Sequence, residues 1–228
     1  MTPKLDCLVQ FQRSESFCQG TMSIMDMSAL DSPRTARGAA TRTRIVDAAA
    51  ELMRANGVAS TSLDAVLAAS HASKSQLYHY FADKDGLVLA VIQRQTECVL
   101  ATHEALLRDL TSLAGLRRWR DAVVESTRQT GCAGGCPLGS LVSALAESPQ
   151  PRSLLADSFA RWESYFVACF AAVRSRTNRR TSADLADLAL MLLTALQGGL
   201  LLAQTMRSTR PLELALDTAI EHVTEQLK

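Results

Sequence analysis

Proline and glycine are scarce in this chain, six and eleven residues of 228, which excludes fibrous and disordered organisations. Stretches in which apolar and polar residues alternate at period two are missing as well, so no strand is predicted. Charge of one sign is not in excess: 24 Lys and Arg stand against 23 Asp and Glu. A net charge of +1 excludes a histone-like polybasic binder, so any affinity for nucleic acid must come from local concentration of charge. The opening segment, MTPKLDCLVQFQRSESF, has no continuous apolar stretch of the kind a signal peptide needs. A cytoplasmic location is therefore expected, with reduced thiols at Cys7, Cys18, Cys98, Cys132, Cys136 and Cys169. One apolar run, Leu185 to Ala203, approaches membrane-spanning length, but Asp187, Gln197 and the Gly198–Gly199 pair interrupt it. It reads as a buried helix, with no membrane partner. A Ser-His-Asp order, a metal-ligand pair, a Gly-rich phosphate loop and paired carboxylates on one helix face are all missing, so no enzyme, metal site or cofactor is expected.

What the chain does have is helical periodicity, and it is long enough for a small module plus a larger body with its own core. The expected fold is all-α. Residues 1–38 mix Ser, Pro, Gln and charge without a period and read as a mobile extension. A start at Met22, Met25 or Met27 would shorten it without touching the rest. From Thr41, Ile45, Ala48, Ala49, Leu52 and Met53 recur at helical spacing until Gly57, where a helix would end. Ser62 can cap a second helix with Leu63, Val66 and Leu67 inward. Ser73 opens a third, about Lys74 to Tyr80, with Gln76 placed to complete a capping box and Leu77 and Phe81 as buried contacts. Asp83 can cap a fourth that runs to about Arg108. Further helices are expected over Leu113–Thr130, Leu138–Glu147, Arg152–Arg176, Ser182–Arg207 and Leu212–Leu227, with Pro137, Pro149, Pro151 and Pro211 at the breaks.

The second and third helices, joined by a short turn, have the geometry of a helix-turn-helix at about residues 62–81, inside a module of residues 39–99. Lys74, Ser75 and Gln76 stand at the start of the third helix, where side chains can reach base edges and free N–H groups favour phosphate. Tyr78 and His79, one turn further on, can donate to phosphate oxygens, and Lys84 can clamp the backbone as a point charge. Arg34, Arg37, Arg42 and Arg44, with no acid among them, form a basic arm suited to phosphate or the minor groove. The segment TSLDAVLAASHASKSQLYHYFADKDGLVLAVI resembles the DNA-binding domain of the TetR family of bacterial regulators. The match runs from about Thr41 to Val99 and is carried by Ser73-Lys74, the aromatic run Tyr78 to Phe81, and Lys84. The resemblance implies phosphate contacts by Ser62, Ser73, Tyr78, His79 and Lys84, and base contacts by Lys74, Ser75 and Gln76. Two positions depart from the pattern. His71 occupies a turn position where the family usually has Gly and where a positive φ is expected, and Ser75 replaces another frequent Gly.

The resemblance also implies that residues 100–228 bind a small effector and pair two copies through the last two helices. Stripes on those helices supply the expected interface: Leu188, Leu192, Leu196, Gly199 and Leu200 on one, Leu216, Ile220 and Val223 on the other. Aromatic and apolar residues that would line an effector pocket are Trp119, Leu138, Phe159, Trp162, Phe166, Phe170 and Met191, although such a stripe also suits a plain core. The segment Gly135-Cys136-Pro137-Leu138-Gly139 resembles a motif of one subgroup of these regulators and is expected to begin a helix. Cys132 and Cys136 are candidate thiol sensors, because a helix N-terminus can lower a thiol pKa. The expected function is that of a homodimeric repressor that reads a palindromic double-stranded operator and is released by a small apolar effector. The alternative is a helical enzyme or carrier with a vestigial DNA-binding module.

Overall fold

The computed structural model describes residues 35–107, 112–177 and 183–227. Among them lie nine helices and no strand: α1 (Ala36–Asn56), α2 (Leu63–Ser70), α3 (Lys74–Tyr80), α4 (Lys84–Leu107), α5 (Leu113–Gln129), α6 (Gly139–Leu145), α7 (Pro149–Thr177), α8 (Leu185–Met206) and α9 (Arg210–Leu227). The expected extension lies, up to residue 34, outside the described residues. Its last residues are not an arm: α1 begins at Ala36, five positions before the apolar period, because Thr35 Oγ1 accepts the Gly38 N–H (3.1 Å). Arg37 and Arg42 therefore ride on a helix.

Caps explain most of the other boundaries. Gly57 ends α1 at φ +83°. Ser62 Oγ accepts the Ala65 N–H (3.1 Å), and Asp83 Oδ1 accepts the Gly86 N–H (2.8 Å). Pro149 and Pro151 fall within the first turn of α7, and Pro211 within that of α9, where no helical N–H is lost.

Helices α2, α3 and α4 pack on α1, burying Ile45, Ala49, Met53, Val66, Leu77 and Phe81. The second half of α4 lies against α7, α8 lies between α7 and α9, and α5 closes on α9. One continuous core joins the two halves, so α4 runs unbroken through the expected boundary near residue 100. Helix α8 is long and apolar enough to cross a membrane, by length and composition alone. In the fold its stripe of Leu185, Leu188, Leu192 and Leu196 is buried in the bundle.

That burial bears on the residues expected at the interface. Leu188, Leu192, Leu196 and Gly199 of α8, and Leu216, Ile220 and Val223 of α9, are buried within the protomer, and Leu200 is half-buried. The stripes join α8 and α9 to each other and to their neighbours within the chain. Gly199 permits a close approach within the chain: a Cβ there would lie 2.9 Å from Leu212 Cα, whereas Gly198 has open space around it. Gly199→Ala is therefore expected to lower folding stability by about 1–3 kcal/mol through overpacking, although alanine is the better helix former by about 1 kcal/mol. Denaturant unfolding checks the sign, and a stabilised variant would contradict the packing.

Candidate nucleic-acid interface

The turn that aims α3 is built by two caps and one left-handed residue. His71 stands at φ +52°, ψ +32°, so the usual glycine position does demand αL, and histidine adopts it. Ser73 Oγ then accepts the Gln76 N–H (3.2 Å) while Gln76 Oε1 accepts the Ser73 N–H (2.9 Å), a complete capping box. Leu77 is wholly buried and Phe81 nearly so, which pins the inner face of α3. The opposite face carries Lys74, Ser75, Gln76, Tyr78 and His79, all exposed, with Tyr78 at 49%. The aromatic run thus divides: Phe81 is core, Tyr80 half-buried, Tyr78 outward.

Basic groups surround this face. Lys84 Nζ donates to the Ala59 carbonyl (3.1 Å), which holds its ammonium beside the cap of α2. Lys74 Nζ lies 6.0 Å from the centre of the Tyr78 ring, and the Arg42 guanidinium 5.4 Å from that of Phe81. Arg44 Nε donates to the Ser70 carbonyl (2.9 Å), tying α1 to the end of α2. Ser62 and Arg37 are exposed. The expected head residues Ser62, Ser73, Lys74, Ser75, Gln76, Tyr78, His79 and Lys84 thus lie between the cap of α2 and the first turn of α4, all exposed except the half-buried Lys84. Arg34 lies outside the described residues.

In the body the expected pocket wall is largely core. Trp119, Leu138, Trp162, Phe166 and Phe170 have essentially no exposed surface, because the stripe on α7 is the inner face of a central helix. Phe159 and Met191 are half-buried, and Met191 borders a different feature, a groove of about 830 Å³ between α8 and α9 that also involves Leu202, Met206, Leu214 and His222. Sequence reading missed His103, a lone histidine without a motif. Its Nδ1 accepts the Trp119 Nε1 proton (2.9 Å), and its ring lies 4.4 Å from that of Trp162. The indole Nε1 of Trp162 is buried with no hydrogen-bond partner.

The environment of Cys136 opposes the activation expected of a thiol sensor. Cys132 and Cys136 are both buried, and burial pushes the Cys136 thiol up, against the N–H of Gly139 that donates to its sulfur (3.4 Å). A sensor needs the opposite shift. The segment does start a helix as expected: the Cys136 carbonyl accepts the Ser140 N–H (2.9 Å) at the head of α6. The preceding turn uses positive φ at Gly131, Cys132, Gly134 and Gly135.

Residues 45–91 match the model of the bacterial regulatory proteins of the tetR family, and residues 112–218 match that of the C-terminal domain of LmrA/YxaF-like transcriptional regulators. The chain is 30% identical over 183 residues to an HTH-type transcriptional regulator of Mycobacterium tuberculosis, spanning 76% of this chain and 89% of that protein. Over 61 residues it is 41% identical to the HTH-type transcriptional regulator UidR of Escherichia coli, 27% of this chain and 31% of the other. The crystal structure of a regulatory protein TetR from Rhodobacter sphaeroides has the same fold, with a TM-score of 0.70 and 22% identity, covering 80% of this chain and 98% of that one.

His103 gives the body a pH dependence. Burial lowers its pKa from 6.5 to about 4, so the unfolded chain takes up the proton first as pH falls. Its stabilising contribution is complete above pH 6.5 and is lost as pH drops through 4. Stability should be about 2 kcal/mol lower at pH 5 than at pH 8 from this group alone. Thermal melts of wild type and His103→Gln, which keeps an oxygen for Trp119, check this. An equal pH slope in both proteins would contradict it.

Proposed function

The chain belongs to the TetR family of bacterial regulators and is a DNA-binding transcriptional regulator, not an enzyme, and from that premise we propose that it is an effector-released repressor. It works in the cytoplasm as a homodimer, with two α3 helices about 34–36 Å apart on a palindromic operator. The observation that carries this reading is the outward face of α3, polar and basic over a fully buried Leu77. Lys74, Ser75 and Gln76 meet base edges. Ser62, Ser73, Tyr78, His79 and Lys84 hold phosphates, joined by Arg37 and Arg42 from α1.

Pairing uses the last two helices through residues other than the buried stripes. Leu190, Leu201, Leu202, Met206 and Leu214 are more than half exposed, and the groove between α8 and α9 can receive side chains of a second copy. The effector enters among α4, α5 and α7, where an acceptor on an otherwise apolar molecule would satisfy the Trp162 Nε1. His103 and Lys84 lie on the same helix, about 28 Å apart along it, so displacing one end of α4 re-aims the head and changes the spacing of the two α3 helices.

Tyr78→Ala and Lys84→Ala should each weaken DNA binding by about tenfold at low salt, and Lys84→Ala should reduce the salt slope by about 1. Anisotropy titrations over a salt series read both, and unchanged affinity in the two variants would sink the assignment. Separately, the double substitution Leu202→Glu with Met206→Glu should give a folded monomer by light scattering. A dimer that survives it would place the contact elsewhere.

A further inference from the structure

The cap that starts α3 restricts what Gln76 can read. Gln76 Oε1 accepts the Ser73 backbone N–H at 2.9 Å. A backbone N–H accepts nothing, so the group facing it must be the amide oxygen and not the nitrogen. What this exposed side chain leaves for a partner is the Nε2 donor, beside a single remaining lone pair on the capped oxygen. Its neighbours reinforce that bias. Lys74 offers only donors, and Ser75 Oγ lies 3.0 Å from Ser73 Oγ, engaged with the cap residue. Lys74 and Gln76 thus offer donors side by side from the first turn of α3.

An amide reads adenine by donating to N7 and accepting from N6, which requires both of its ends. With one lone pair of its oxygen held by the Ser73 N–H, Gln76 can complete this pair only with the remaining lone pair, whose direction the cap fixes, so the two-ended adenine contact is disfavoured. In the major groove guanine presents acceptors at N7 and O6 and thymine at O4, whereas cytosine presents the N4 donor. Resting on the reading of α3 as the helix that enters the groove, we infer that Gln76 is a specificity-determining residue that selects a keto base, guanine or thymine, at the position it faces in each half-site. Releasing the cap to read adenine would cost α3 one of its two reciprocal N-terminal hydrogen bonds.

Gln76→Glu separates readout from capping. Glutamate closes the same capping box but turns a second acceptor outward where the amide had a donor. The test is selection and sequencing of duplexes with randomised half-sites, bound by the full chain as wild type, Gln76→Glu and Gln76→Ala. The position whose base frequencies differ between wild type and Gln76→Ala is the one Gln76 faces. Wild type should favour a keto base there by about fivefold or more. Gln76→Glu should reverse the preference to an amino base, cytosine or adenine, with the melting midpoint of the protein unchanged. Adenine or cytosine preferred by wild type, or base frequencies identical in Gln76→Glu and wild type at every position, would overturn the inference. Failure of the wild type to enrich any sequence would instead overturn the DNA-reading assignment on which it rests.

Discussion

A seven-residue helix is unstable by itself in water, where helices shorter than about 12–15 residues are marginal. The reading of DNA by this chain therefore depends on what clamps α3. Three restraints do so. Leu77, with no exposed surface, and the nearly buried Phe81 fix its rotation. The capping box of Ser73 and Gln76 fixes its first turn. His71, in the left-handed region, fixes the angle at which it leaves α2. The last restraint opposes stability by about 1–2 kcal/mol relative to an ordinary backbone conformation, and the packing of the head offsets it. Because the inner face is fully engaged, the outer face is defined, and its chemistry follows from which atoms the caps already occupy.

Helix α4 carries the consequences into the body. At the head, Arg94 Nε donates to Asp47 Oδ1 (2.9 Å), bracing α4 against α1. Two residues on, Thr96 Oγ1 donates to Ser158 Oγ (2.8 Å) in the buried seam with α7. His103 then joins it to the indoles of α5 and α7. A single rigid element thus touches the reading head and the aromatic core, and no flexible joint among the described residues separates them. This continuity supports the proposed coupling of a ligand in the body to the spacing of two heads.

Much of the head was legible because its signals are local. Ser62, Ser73, Asp83 and Gly57 mark helix ends by chemistry that acts over three or four residues, and α3 has the boundaries its cap predicts. The start of α1 was misplaced because Thr35 and an Ala-rich, Arg-bearing first turn bury almost nothing until Thr41. In the body the stripes on α7, α8 and α9 were correctly seen as apolar, but an apolar stripe does not say which neighbour it meets. Helix α8 carries apolar residues on several sides. Its most regular stripe packs within the chain, and the less regular Leu190, Leu201, Leu202 and Met206 are left outside. Cys136 shows the same gap between motif and environment, since its place before α6 suggested activation while its burial opposes it. His103 carried no signal at all, because its role comes from Trp119 and Trp162 on other helices.

The central claim, that two copies present α3 to successive major grooves, is tested most directly by footprinting the full chain on a duplex it selects. Hydroxyl-radical and guanine-N7 methylation patterns should show two symmetric protected segments whose major-groove centres are about 34–36 Å apart, one helical turn. A single unsymmetric footprint, or protection confined to the minor groove, would contradict it.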